Sequence, residues 1–215
     1  MFRLYVFDLD GTLVDSRRDL ADAANALLQE CGAAPLAEQR VGAMVGEGAG
    51  VLVSRVFAAA GIERPPDALA RFLALYDERL LNHTRAYEGM ERTLETLRAR
   101  APLAVLTNKP FAATRRILDG LGLARHFDDG AVVGGDGPFP RKPDPAGLRH
   151  LTSTYTSGPA STLMIGDSLI DWETASRAST PICVARYGFG YQGFPAEKLR
   201  DGDRVIDTPM DLLRL

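Results

Sequence analysis

Hydrophobic positions along this chain follow two periodicities, and the change from one to the other divides the sequence. Residues 4–9 form a short apolar run that ends among acidic residues, the pattern of a strand covered on both faces. After Ser16 the spacing becomes helical. Leu20, Ala24, Leu27 and Leu28 share one face before Gly32, and Ser16 with Asp19 has the spacing of a capping box at the start. Val51, Leu52, Arg55, Val56 and Ala59 form a second stripe closed by Gly61. Pro65 and Pro66 break the chain, and Leu69, Phe72, Leu73, Tyr76 and Leu80 form a third. Residues 17–85 read as helical throughout.

From residue 87 onward short apolar runs alternate with helical stripes. The pattern predicts strands at 103–106, 131–133, 162–165, 181–185 and 204–206, with helices over 111–121, through Leu148 and Leu151, and over 170–178. A loop rich in proline and glycine occupies 134–145. Such alternation predicts an α/β fold with a Rossmann-like parallel sheet and right-handed crossovers. The expected division is a catalytic core of residues 1–16 and 86–215, with a helical cap domain of residues 17–85 inserted after the first strand. An insert at that point lies above the carboxyl ends of the strands, where open α/β sheets place their chemistry.

Composition narrows the partners. At 215 residues the chain can bury a full core, and its formal net charge of −3 argues against nucleic acid or an anionic membrane surface. No apolar run approaches the roughly 20 residues of a membrane span. Cys31 and Cys183 stand far apart with no metal-binding spacing, so both thiols are expected free and the setting cytoplasmic. Only three lysines occur, Lys109, Lys142 and Lys198, and the first two fall in the segments that carry the chemistry.

Those segments sit at strand ends. Asp8 and Asp10 are two residues apart, on one face of the first strand, followed by Gly11 and Thr12. Thr107, Asn108 and Lys109 follow the second strand of the sheet. Arg141, Lys142 and Pro143 lie in the Pro/Gly loop. Gly166 and Asp167, with Asp171 four residues on, follow a later strand. This set, in this order and with a helical insert after the first segment, resembles the haloacid dehalogenase-like hydrolase superfamily, and within it the phosphoglycolate phosphatase-like group. The resemblance extends to Asp15, Ser16 and Asp19, to Val45 through Gly48, to Tyr87, Glu88 and Gly89, and to Gly134, Gly135 and Asp136. One departure is Ala178-Ser179, where the family commonly has Ala-Gly.

The resemblance implies a Mg²⁺-dependent phosphatase that hydrolyses a small phosphate monoester, 2-phosphoglycolate being the best single guess, through an aspartyl-phosphate. Asp8 would be the nucleophile and Asp10 the acid and base. Asp8, the backbone carbonyl of Asp10, and Asp167 would hold the metal. Thr107, Asn108 and Lys142 would bind the transferring phosphate, and Asp171 would orient Lys142 or a metal-bound water. Glu47, Arg55 and Lys109 are the candidates for substrate contact, with Arg40 as a further cation near the cap. An acid at position 10 argues against a dehalogenase, and a cap without lysine argues against a phosphonate hydrolase. A sugar phosphomutase, a pyrophosphatase and a binding protein without turnover stay open, as does the choice between monomer and homodimer.

Overall fold

The computed structural model describes residues 2–156 and 158–215. Its first half contains β1 (Leu4–Phe7), β2 (Val14–Asp15), α1 (Arg17–Glu30), α2 (Glu38–Gly42), α3 (Ala49–Ala60), α4 (Ala68–Arg79), β3 (Arg85–Ala86) and α5 (Met90–Arg98). Then come β4 (Leu103–Leu106), α6 (Phe111–Gly120), β5 (Val132–Val133), α7 (Ala146–Tyr155), β6 (Thr162–Gly166), α8 (Leu169–Arg177), β7 (Ile182–Ala185) and β8 (Arg204–Ile206). Six strands form one parallel sheet in the order β5-β4-β1-β6-β7-β8, the α/β architecture that the alternating pattern predicts.

The apolar runs are continuous because both faces of the sheet are covered. Leu4, Val6, Ala104, Leu106, Met164 and Val184 pack with Leu148 and Leu151 of α7 and Ala175 of α8. Tyr5, Phe7, Leu103, Val105, Leu163 and Ile165 join the other cluster, with Leu94 and Leu97 of α5 and Ile117 and Leu118 of α6. Phe7 stands opposite Val105 on one side and Ile165 on the other. The residues that follow these three central strands therefore emerge together at one end of the sheet.

Helices α1 to α4 lie between β2 and β3, which pair antiparallel through Val14 with Ala86 and Asp15 with Arg85. This two-residue pairing and helix α2, both too short to stand out, are absent from the sequence reading, as is α5, although its buried Met90, Leu94 and Leu97 have regular helical spacing. The capping box expected at Ser16 and Asp19 does not form. Asp19 is fully buried and accepts hydrogen bonds from the Thr84 N–H and hydroxyl, at 2.8 and 2.7 Å, and from the His83 N–H. Ser16 turns its hydroxyl to Asp10. Both side chains thus serve residues outside their own helix, and Asp19 ties the chain leaving the core to the chain returning to it.

At the end of α8, Ser179 adopts the left-handed conformation, φ 55°. That is why glycine suits the position, and a side chain there costs about 1 kcal/mol. No helix among the described residues is long and apolar enough to cross a membrane.

Candidate active site

Four strand-end segments converge on one buried floor. Asp8 follows β1, Thr107 follows β4, Asp167 follows β6, and Lys142 reaches in from the loop after β5. The Lys142 ammonium lies 2.8 Å from Asp8 Oδ1 and 2.7 Å from Asp171 Oδ1. Its side chain is 2% exposed and that of Asp171 is wholly buried. The second oxygen of Asp171 accepts from the Ser168 N–H at 3.1 Å and hydroxyl at 2.7 Å, closing a capping box on α8. Asp171 is thereby fixed by its own helix start and can hold Lys142 in one place.

Asp167 accepts from the Gly190 N–H at 2.7 Å and the Thr12 hydroxyl at 3.3 Å. The backbone at Gly11, Gly188 and Gly190 approaches so closely that a Cβ at any of them would collide with this carboxylate. Glycine here is a condition of the packing.

The charges of the floor do not balance. Asp8, Asp167 and Asp171 place carboxylate oxygens within 4.8 Å of one another, and one ammonium faces them. Burial, only partly offset by Lys142, pushes Asp8 up to about 6. Burial, with the Asp171 and Asp8 charges added, holds Asp167 well above the usual carboxylate range. Burial works against the Lys142 ammonium, yet Asp171 and Asp8 keep it above its ordinary value. Asp8 Oδ1 has no well-formed hydrogen bond despite the nearby ammonium, and both oxygens of Asp171 are occupied. A hard divalent cation between Asp8 and Asp167 fits this donor set and would relieve the excess negative charge. Asp10 has its carboxylate engaged elsewhere, so its backbone carbonyl is what it could offer a cation.

Above the floor is a cavity of about 340 Å³. Asp8, Asp10, Thr107, Asn108 and Lys109 line it from the core, and Gly46, Leu52, Phe72 and Tyr76 from the insert. Asn108 binds the two regions, its amide donating to Gly46 O and to Lys142 O, each at 2.9 Å. The Thr107 oxygen accepts from the Lys109 N–H at 3.2 Å, leaving its own hydroxyl hydrogen to donate. Lys109 donates to both oxygens of Asp10, at 3.0 and 2.8 Å, and the Ser16 hydroxyl donates to Asp10 at 2.5 Å.

The structure brings Asp8, Asp10, Thr107, Asn108, Lys109, Lys142, Asp167 and Asp171 together. It places two other candidates differently. Glu47 and Arg55 form an ion pair with each other, Arg55 also donating to Met44 O, and neither lines the cavity. Arg40 donates to Ala59 O on an exposed surface. The sequence reading missed Ser16 as a partner of Asp10, and Tyr76 as a cavity residue. Tyr76 lies in a stripe at helical spacing, which reads as core, and its neighbour Phe72 does stack on it at 5.9 Å.

The haloacid dehalogenase-like hydrolase family profile matches residues 5–185. A phosphoglycolate phosphatase of Rhodospirillum rubrum is 47% identical over 198 residues, covering 88% of this chain and 81% of that protein. A phosphoglycolate phosphatase of Cereibacter sphaeroides is 38% identical over 199 residues, covering 90% and 88%. The crystal structure of a predicted phosphoglycolate phosphatase from Haemophilus somnus superposes with a TM-score of 0.91 at 33% identity, over 99% of this chain and 97% of that one.

Proposed function

The chain belongs to the haloacid dehalogenase-like hydrolases, and we propose that it is a Mg²⁺-dependent phosphatase that hydrolyses 2-phosphoglycolate, with residues 17–85 acting as a cap over a core of 1–16 and 86–215. The observation that carries this reading is Asp8. It is a buried carboxylate at the floor of a cavity, with one oxygen lacking a well-formed hydrogen bond, an ammonium 2.8 Å away, and Asp167 beside it. Relatives named phosphoglycolate phosphatase support the substrate.

In this reading an Asp8 oxygen attacks phosphorus, the phosphorus–ester oxygen bond breaks, and Asp10 gives its proton to the departing glycolate oxygen. Asp10 then takes a proton from water, whose oxygen attacks the phosphoryl group and returns Asp8 to its free form. Lys142 holds Asp8 and the phosphoryl oxygens by charge, and the Thr107 hydroxyl and the backbone N–H of Asn108 support the same oxygens. Asp171 keeps Lys142 in position. A Mg²⁺ held by Asp8, Asp167 and the Asp10 carbonyl would neutralise charge on the phosphoryl group. The helical insert excludes bulk water from the cavity.

The test is phosphate release from 2-phosphoglycolate, ethyl phosphate, pyrophosphate and glucose 1-phosphate, with Mg²⁺ and with EDTA. Fastest release from 2-phosphoglycolate, abolished by EDTA, is expected. Interconversion of sugar phosphates without phosphate release would make the protein a mutase, and turnover undiminished by EDTA would remove the metal from the reading.

A further inference from the structure

Lys109 is the one cationic residue among the described residues that line the cavity. None of the neighbouring guanidinium groups lines the cavity: Arg55 is paired with Glu47, Arg116 with the cavity residue Asp77, and Arg141 donates its Nε to Gly135 O. Lys142 is held below, between Asp8 and Asp171. Lys109 is 7% exposed, sits on the Asp10 carboxylate, and packs over the Tyr76 ring with 4.6 Å from ammonium to centroid. The Tyr76 hydroxyl is buried and makes no well-formed hydrogen bond, with the Lys109 ammonium as its polar neighbour, so its hydrogen is available to a ligand.

We propose that Lys109 is the specificity-determining residue that reads the carboxylate of the substrate, exchanging its ion pair with Asp10 for one with the ligand, and that the Tyr76 hydroxyl is the second contact. The proposal rests on the phosphatase reading for the position of the phosphate. From that position the chemistry of the ester does the rest. The ester oxygen must come within reach of Asp10 to take its proton, and a single carbon separates that oxygen from the carboxylate of 2-phosphoglycolate. Whatever holds Asp10 is therefore beside the substrate's carboxylate, and of the two groups that hold it, the Ser16 hydroxyl and the Lys109 ammonium, only Lys109 is a cation.

The exchange leaves no group stranded. Asp10 keeps the Ser16 hydroxyl at 2.5 Å when Lys109 turns away. Lys109 keeps the Tyr76 face, and a cation on an aromatic ring gains when desolvated. Burial holds the Tyr76 hydroxyl up to about 12, so it remains a donor. A carboxylate ligand thus frees Asp10 to turn to the ester oxygen, whereas an ester lacking the carboxylate leaves Asp10 held by Lys109. Discrimination arises from a core residue contacting a cap residue, and the cap's own surface charges take no part.

The test uses two non-hydrolysable probes on the full chain with Mg²⁺. 3-Phosphonopropionate has the shape of 2-phosphoglycolate with carbon in place of the ester oxygen. Propylphosphonate lacks the carboxylate. Calorimetry should give the wild-type protein at least about a tenfold preference for the first, the size of a charge-assisted contact. Lys109→Met should reduce that ratio to below about twofold, Lys109→Arg should restore part of it, and Tyr76→Phe should reduce it less, with thermal melts confirming the fold. Lys109→Gln, which can still donate to Asp10, gives the same comparison should the methionine variant not fold. No preference in the wild type, or a preference that survives loss of the ammonium, overturns the proposal. Because this reads binding, its outcome is separate from turnover. Preference without phosphate release would retain the carboxylate site and sink the phosphatase, and release without preference would do the reverse.

Discussion

The floor of the cavity and the helical insert above it use charge in opposite ways. On the floor, Lys142 and Asp171 are 2% and 0% exposed and every oxygen of Asp171 has a partner. In the insert, Arg55 and Glu47 are 41% and 39% exposed and satisfy each other at the surface. Breaking a buried pair strands a charge at a cost of about 3–5 kcal/mol, whereas an exposed pair is worth about 0–1. Buried charge on the floor sets the positions of the reacting groups, whereas the buried charge of the insert, Asp19, ties its two connections to the core together. The insert gives the cavity shape, through Leu52, Phe72 and Gly46, and two polar side chains, Tyr76 and Asp77, of which Asp77 is paired with Arg116. Chemistry and most of the recognition thus belong to strand ends, and the insert encloses them.

The harshest test of that division is Asp8→Asn. Turnover should fall by at least about a thousandfold, since the attacking oxygen is lost. Stability should move the other way. Burial raises Asp8 to about 6, so between its unfolded value and 6 the native state binds the proton more tightly than the unfolded chain. Its contribution to stability is therefore present at low pH and lost as pH rises through 6, leaving a buried charge. In EDTA at pH 8 the variant should melt at or above the wild type. A lower melting temperature would show that Asp8 is structural.

Next in size is Asn108→Ala, which removes a side chain that hydrogen-bonds both the insert, at Gly46, and the Lys142 loop. Two buried hydrogen bonds go, at about 1 kcal/mol each. kcat/KM for 2-phosphoglycolate should fall about tenfold, mostly through KM if the insert closes less well. A loss confined to kcat would instead assign Asn108 to the phosphoryl group alone.

How much of this the sequence could carry depended on the range of the interactions. Asp8, Thr107, Lys142 and Asp167 were legible because each is a reactive residue type at the end of an apolar run, and parallel strands in register bring such ends together. Gly61 and Gly122 marked their helix ends for a local reason, a left-handed φ of 71° and 69°. Asp19 was misread because its local spacing matches a cap, while its partners His83 and Thr84 lie more than sixty residues away. Tyr76 was hidden by the same logic, since helical periodicity gives the face but not what that face meets. The charges of Glu47 and Arg55 marked them as substrate contacts, yet their mutual pairing depends on how α3 packs after the Gly46–Gly48 turn, which periodicity does not encode.

The smallest expected effect bears most directly on which region selects the substrate. Glu47→Gln and Arg55→Gln remove a half-exposed pair, so each should change stability by less than about 1 kcal/mol and kcat/KM for 2-phosphoglycolate by less than about twofold. The ratio of kcat/KM between 2-phosphoglycolate and ethyl phosphate should stay constant in both variants. Neither side chain lines the cavity, and the remaining bond of Arg55, to Met44 O, spans only neighbouring parts of the insert. Measured beside Lys109→Met, which should collapse the same ratio, the pair gives a direct contrast between surface charge and cavity charge. If instead Arg55→Gln shifts the ratio several-fold while Glu47→Gln leaves it alone, the guanidinium swings from Glu47 into the cavity when substrate binds. Selection would then belong to the insert, and the contrast drawn between the two regions would fail at Arg55, one of the three substrate contacts that the sequence suggests.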